Sequence, residues 1–276
     1  MPVYGLGTWE MGGRTERDFT NDDARDIQAI KSAIDLGVTH IDTAEKYADG
    51  YTETLVGEGI KEYDRSKLFL VSKVRKEKLS YDAILKSCDE SLARIGTTYL
   101  DMFMLHFYST EVSLKDSMHA LDRLVEENKV RHIAVANFTK ERFTEAQSYT
   151  SNKIVCNQLH YNLIFREPER EDLVEYCQDN DVFLTAWRPV QKGLLTSGVP
   201  EILDSMSKKY NKTPAQVAIN WLISQDNVIT IAKTSNVEHL KENLGALSWQ
   251  METEDVERLR AEFPGQKDVS DAVPLR

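Results

Sequence analysis

Short apolar runs rich in β-branched residues recur through this chain, and a helical pattern stands behind most of them. That alternation narrows the possible folds more than any other feature. The runs lie at 4–9, 38–41, 68–73, 100–105, 130–136, 154–159, 182–187 and 228–232. Between them, apolar residues at helical spacing span 24–36, 81–95, 114–128 and 237–244, with a helix opening near Thr139 and another over 170–180. Two more helices follow the run at 182–187, the second opened by Thr213-Pro214, a cap followed by proline at the first helical position. Asn21-Asp22-Asp23 offers caps to the first helix, and Gly37 and Gly96 stand where helices stop. Runs this short and this apolar suit parallel strands covered on both faces. Eight of them close a (β/α)8 TIM barrel, for which 276 residues suffice without a second domain. A doubly wound open sheet is the competing architecture, but it rarely needs eight such regular units. No linker or low-complexity segment divides the chain, so 1–276 reads as one domain. Its tail over 263–276, with two prolines, either lies over the barrel or hangs loose.

Charge and cysteine usage exclude several function classes. A formal net charge of −11 disfavours nucleic acid and anionic membranes as partners, so an anionic ligand needs a local cationic pocket. No stretch approaches the ~20 apolar residues that span a bilayer, and no signal peptide precedes Gly5. Cys88, Cys156 and Cys177 are odd in number, widely spaced and without a CxxC. They read as reduced thiols in a cytoplasmic protein, with neither a disulfide frame nor a metal site.

The chemistry gathers at strand ends. His40-Ile41-Asp42 leaves a strand with a carboxylate, and Tyr47 follows five positions later. The next two strands finish at Lys73 and at His106. In a barrel these ends share one rim, where such folds concentrate their chemistry. An ammonium beside Tyr47 favours its phenolate, and Asp42 paired to that ammonium holds it in place. Tyr47 then delivers a proton to a substrate oxygen that His106 orients, which suits carbonyl reduction. Each residue alone has a plainer reading: a capping aspartate, a solvated lysine, a loop tyrosine, a satisfied core histidine. Their convergence on one rim favours the chemical one.

These residues also carry a resemblance. Gly5-Leu6-Gly7-Thr8-Trp9, Asp42-Thr43-Ala44 with Tyr47, Glu53-Thr54-Leu55-Val56-Gly57, Ser72-Lys73, Leu105-His106, Asn137-Phe138, Asn157-Gln158 and Ile231-Ala232-Lys233-Thr234 appear in order. In this the chain resembles the aldo-keto reductases. The resemblance implies an NAD(P)H-dependent reductase of small aldehydes or ketones, with Tyr47 as general acid, Lys73 and Asp42 tuning it, and His106 on the carbonyl. It implies an extended cofactor across the rim, consistent with the lack of a GxGxxG motif. Gly7, Thr8, Trp9 and Asp42 would border the cofactor, Asn137 and Gln158 hold its carboxamide, and Trp187 stack on its nicotinamide. Arg188, Pro189, Gly193 and Leu194 would wrap the pyrophosphate, with Arg188 lending charge to a phosphate. Lys233, Thr234, Ser235, Asn236, His239, Glu242 and Asn243 would take the adenosine end.

Some positions depart from the family pattern. His239 stands where the family commonly has an arginine, and it lacks that side chain's bidentate fork, so NADPH is expected as cofactor with NADH also usable. Ala136 replaces a serine, Ala48 a glycine, and most of an N-terminal hairpin is missing. Trp9, Tyr47, His106, Phe107 and Phe138 are the candidate substrate contacts. A monomer is the expected state. Two other functions compete: a nicotinamide-sensing regulatory subunit that binds cofactor but turns over slowly, and a barrel lyase or isomerase that binds no nicotinamide.

Overall fold

The eight apolar runs become eight parallel strands that close in chain order, each bonded to the next and the last to the first. The computed structural model describes residues 1–275. The strands are β1 (Tyr4–Gly7), β2 (His40–Asp42), β3 (Phe69–Val74), β4 (Leu100–Leu105), β5 (Val130–Ala136), β6 (Ile154–His160), β7 (Phe183–Trp187) and β8 (Val228–Lys233). The helices are α1 (Asp23–Asp35), α2 (Tyr51–Ile60), α3 (Tyr81–Ile95), α4 (Leu114–Glu126), α5 (Lys140–Ser148), α6 (Glu167–Arg170), α7 (Leu173–Asp179), α8 (Glu201–Tyr210), α9 (Pro214–Ile223), α10 (Val237–Leu244) and α11 (Thr253–Glu262). The barrel expected from the sequence is therefore the one observed.

Strand periodicity decides what faces where. In β4 every residue is buried, yet Met102 and Met104 join a small cluster with Val71, Ala134, Ala136 and Cys156, while Phe103 and Leu105 join the large core beneath the helices. A period of two separates a barrel interior from a sheet-to-helix layer. The same alternation in β2 and β3 puts His40 with Asp42, and Val71 with Lys73, on the inner face. Gly5 makes room for this filling, since a Cβ there would stand 2.7 Å from His40 Cγ. The glycine thus serves packing against a side chain.

Two helices carry no clear signal in the sequence. α2 buries Thr52, Glu53, Leu55, Val56, Gly57, Gly59 and Ile60, so it presents no polar stripe. Its Gly57 lets it sit against α3, where a Cβ would meet Ile95 O at 2.5 Å. α11 is mostly polar and buries only Asp255, Val256 and Leu259.

The tail is docked along the loop after β6. Arg166 N donates to Lys267 O and Lys267 N to Ile164 O. Glu167 then receives Ser270 N at 2.9 Å and Leu275 N at 3.0 Å. No described helix is long and apolar enough to cross a membrane.

Candidate active site

Asp42 and Lys73 meet inside the rim because β2 pairs with β3 and both project these side chains inward. Lys73 Nζ lies 2.6 Å from Asp42 Oδ1, 2.8 Å from Thr43 O and 3.3 Å from the Tyr47 hydroxyl. Both members of the ion pair are shut off from solvent. The other Asp42 oxygen accepts from Gln158 Nε2 at 2.8 Å. Thr8 donates its hydroxyl to Asp42 O at 2.9 Å, tying the end of β1 to that of β2.

Tyr47 opens a tight turn over 47–50 in which Ala48 and Asp49 take positive φ. Its ring meets Trp9 edge-on at 4.9 Å and His106 at 5.8 Å. Behind the turn, buried Glu45 accepts from Lys78 and from Ser87, each at 2.5 Å, and Arg75 reaches Glu45 O and Asp49. That network, invisible in the sequence, fixes the loop carrying the phenol.

Burial dominates the electrostatics. It raises the Tyr47 phenol above its ordinary range, against the opposing charge of Lys73. Lys73 does favour the phenolate, as expected, but burial outweighs it and the phenol stays protonated. Burial, then the charges of Lys73 and Lys46, hold the His106 imidazole neutral, well below its usual range. Burial opposes the Lys73 ammonium, but Asp42 and Tyr47 outweigh it and its pKa is raised. His106 Nδ1 is buried without a partner, which leaves Nε2 as the nitrogen available to a ligand. The cluster is thus a neutral proton donor, a neutral imidazole and a charge able to stabilise the phenolate left after transfer.

Asn137 and Gln158, the expected carboxamide pair, stand side by side at the rim, with Gln158 Nε2 already donating to Asp42. Asn137 takes a left-handed φ of 62° after β5 and donates from Nδ2 to His106 O at 3.1 Å. Its Oδ1 is buried with no donor, an acceptor suited to a carboxamide. Gln158 stands beside it, with Asn137 N donating to Gln158 O. Trp187 pairs in register with His160, so their rings stack at 4.2 Å and 8°, one face of the indole being covered.

Other expected contacts are not where the sequence suggested. Phe138 is fully buried in the main core against Tyr108, because the chain turns outward after Asn137, so it does not line the mouth. Arg188 pairs with Asp271 of the tail at 3.4 Å and covers Trp187, so its charge is already engaged. Pro189 begins the rim loop, Gly193 there has φ 87°, and Leu194 is exposed.

An open cleft beyond β8 is lined by Arg25, Lys233, Thr234, Ser235, Asn236, Val237 and His239. Gly7 pairs with both Asp42 and Lys233, so the cleft adjoins the rim that carries Asp42. Its polar groups are largely spent: Ser235 donates to Asp26 at 2.8 Å, and Asn236 Oδ1 caps α10. Asn243 turns inward to Tyr4 at 3.2 Å, and neither it nor Glu242 lines the cleft. Sequence reading missed Arg25. It comes from α1, over two hundred residues away along the chain, and only closure of the barrel brings α1 beside α10.

Comparisons agree with this geometry. The family model described as Aldo/keto reductase family matches residues 4–262. A methylglyoxal reductase of Escherichia coli is 32% identical, over 97% of this chain and 93% of its own. A glyoxal reductase of Bacillus subtilis is 31% identical, over 95% and 88%. Among solved structures, a thermostable aldo-keto reductase in complex with epalrestat is 38% identical with TM-score 0.90, each chain covered to 94%. An aldo/keto reductase of Klebsiella pneumoniae in complex with NADP and acetate is 32% identical with TM-score 0.86, over 100% of this chain and 96% of that one. With a closed barrel, an acid, phenol, amine and imidazole on one rim, and likeness along nearly the whole length, the chain belongs to the aldo/keto reductase family of oxidoreductases.

Proposed function

We propose that this protein reduces small aldehydes or ketones to alcohols, with NADPH as its reductant and Tyr47 as general acid. The observation that carries the reading is Lys73 Nζ bound at once to Asp42, Thr43 O and the Tyr47 hydroxyl in a buried pocket. The nicotinamide, when bound, supplies hydride to the carbonyl carbon.

The chain's own residues do the rest. Asn137 and Gln158 would hold the carboxamide, and Trp187 would border the ring. His106 donates from Nε2 to the carbonyl oxygen, polarising it without carrying a charge itself. Tyr47 gives its proton to that oxygen as negative charge develops there. Lys73 at 3.3 Å then stabilises the phenolate, and Asp42 keeps the ammonium in register. Because burial keeps the phenol protonated, reduction begins from the required form.

Tyr47→Phe tests this reading. Loss of the general acid should lower kcat by about 10²–10⁴-fold, measured as NADPH oxidation at 340 nm with a panel of small aldehydes. NADPH binding, followed by fluorescence, should persist. Turnover that survives the substitution would exclude Tyr47 as the acid. Tight NADPH binding by a wild-type protein that reduces nothing would point to a sensing role.

A further inference from the structure

Lys46 precedes the catalytic tyrosine and is half-buried at the substrate mouth. Its Nζ lies 4.9 Å from the Phe107 ring centroid, and Phe107 stacks on His106 at 4.5 Å and 15°. No carboxylate among the described residues pairs with it. The acidic neighbours are already committed: Glu45 to Lys78 and Ser87, and Asp49 to Arg75 at 2.7 Å. Asp42, the remaining carboxylate of the site, is held by Lys73 and Gln158. The titratable groups around the mouth are therefore neutral His106, neutral Tyr47 and paired Lys73, with Lys46 as the uncommitted charge. The Lys46 ammonium rests over the Phe107 ring with no anion beside it, so a ligand carboxylate that reaches it gains a charge-assisted contact. The protein's net charge of −11 repels anions in general, so a local cation is what would admit one.

We propose that Lys46 selects carbonyl substrates bearing a carboxylate about one aromatic ring's breadth from the reacting carbon. The inference rests on the reductase reading and adds a substrate class to it. The carboxylate takes no part in the reaction: hydride goes to the carbonyl carbon, the Tyr47 proton to its oxygen, and the ion pair with Lys46 positions the molecule.

The test compares 4-carboxybenzaldehyde with methyl 4-formylbenzoate, in wild type and in Lys46→Met and Lys46→Arg. The acid should exceed the ester in kcat/KM by about tenfold or more. Lys46→Met should abolish that preference chiefly through KM, Lys46→Arg should retain it, and added salt should weaken it. A binding measurement accompanies turnover: benzoate and benzamide are titrated against tryptophan fluorescence, Trp9 standing beside Tyr47. Benzoate should bind more tightly in wild type and lose that advantage in Lys46→Met. Equal use of acid and ester by wild type, or equal loss of both in Lys46→Met, would overturn the assignment. If neither aldehyde is reduced while benzoate still binds through Lys46, the charge recognition stands and the reductase reading fails.

Discussion

The Lys73–Asp42 pair shows how little of an ion pair's role can be inferred from its presence. Two charges shut off from solvent gain attraction but lose hydration, and the two effects nearly offset each other. Removing one partner strands the other. Lys73→Met should therefore cost about 3–5 kcal/mol of stability, read from denaturant midpoints. The double variant Asp42→Asn with Lys73→Met should recover most of that loss while remaining inactive. Recovery of activity along with stability would mean that the pair is structural only. The phenol and imidazole beside it follow a common logic, since burial keeps each neutral. A neutral donor is what a reduction requires at its start.

Elements far apart in the chain assemble the cleft beyond β8. β8 contributes Lys233, α10 contributes His239, and α1 contributes Arg25, whose side chain is half exposed. Among the described residues Arg25 pairs only with Asp26, at 3.9 Å, and both oxygens of that carboxylate already accept from Ser235, Gly12 N and Asn21. Its fork is free to meet a phosphate. Arg25→Gln should weaken NADPH binding by about tenfold and leave NADH affinity as it was, measured by nucleotide fluorescence. A matched loss for both nucleotides would remove Arg25 from 2′-phosphate recognition. The tail makes a second long-range contribution, as Ser270 and Asp271 brace His160, Arg188 and Gln191 beneath the rim loop.

The whole molecule inherits an acid sensitivity from histidines buried in its barrel. His40 sits inside with neither ring nitrogen bonded, and burial lowers its pKa to about 4. His160 lies between Phe165 and Trp187, and burial likewise brings it to about 4. Unfolding restores the ordinary value near 6.5, so between about pH 6.5 and 4 the unfolded chain binds more protons than the folded one. Stability is then fully present above pH 6.5 and falls as pH drops toward 4, by about 3 kcal/mol for each histidine. Denaturant midpoints across that window should show the decline, and His40→Met should flatten part of it. A midpoint independent of pH over the window would contradict this account.

The sequence by itself determined the strand count, the barrel and the four groups at its rim. Strand ends follow a period of two, and a residue's phase along a short apolar run fixes whether it faces the interior. Asp42, Lys73 and His106 were legible because each stands at the end of an apolar run, whereas Asn137 and Gln158 were legible only through the resemblance to the aldo-keto reductases. Only the tertiary structure decided the rest, because burial and long-range pairing belong to no local window. Neighbouring elements enclose α2 on nearly all sides and so erase its polar stripe. They turn Phe138 and Asn243 into the core, commit Arg188 to Asp271, and keep the Tyr47 phenol protonated against the pull of Lys73. They also bring Arg25 to a cleft and leave Lys46 without an anion, and both results depend on closing β8 onto β1 and β4 beside β3.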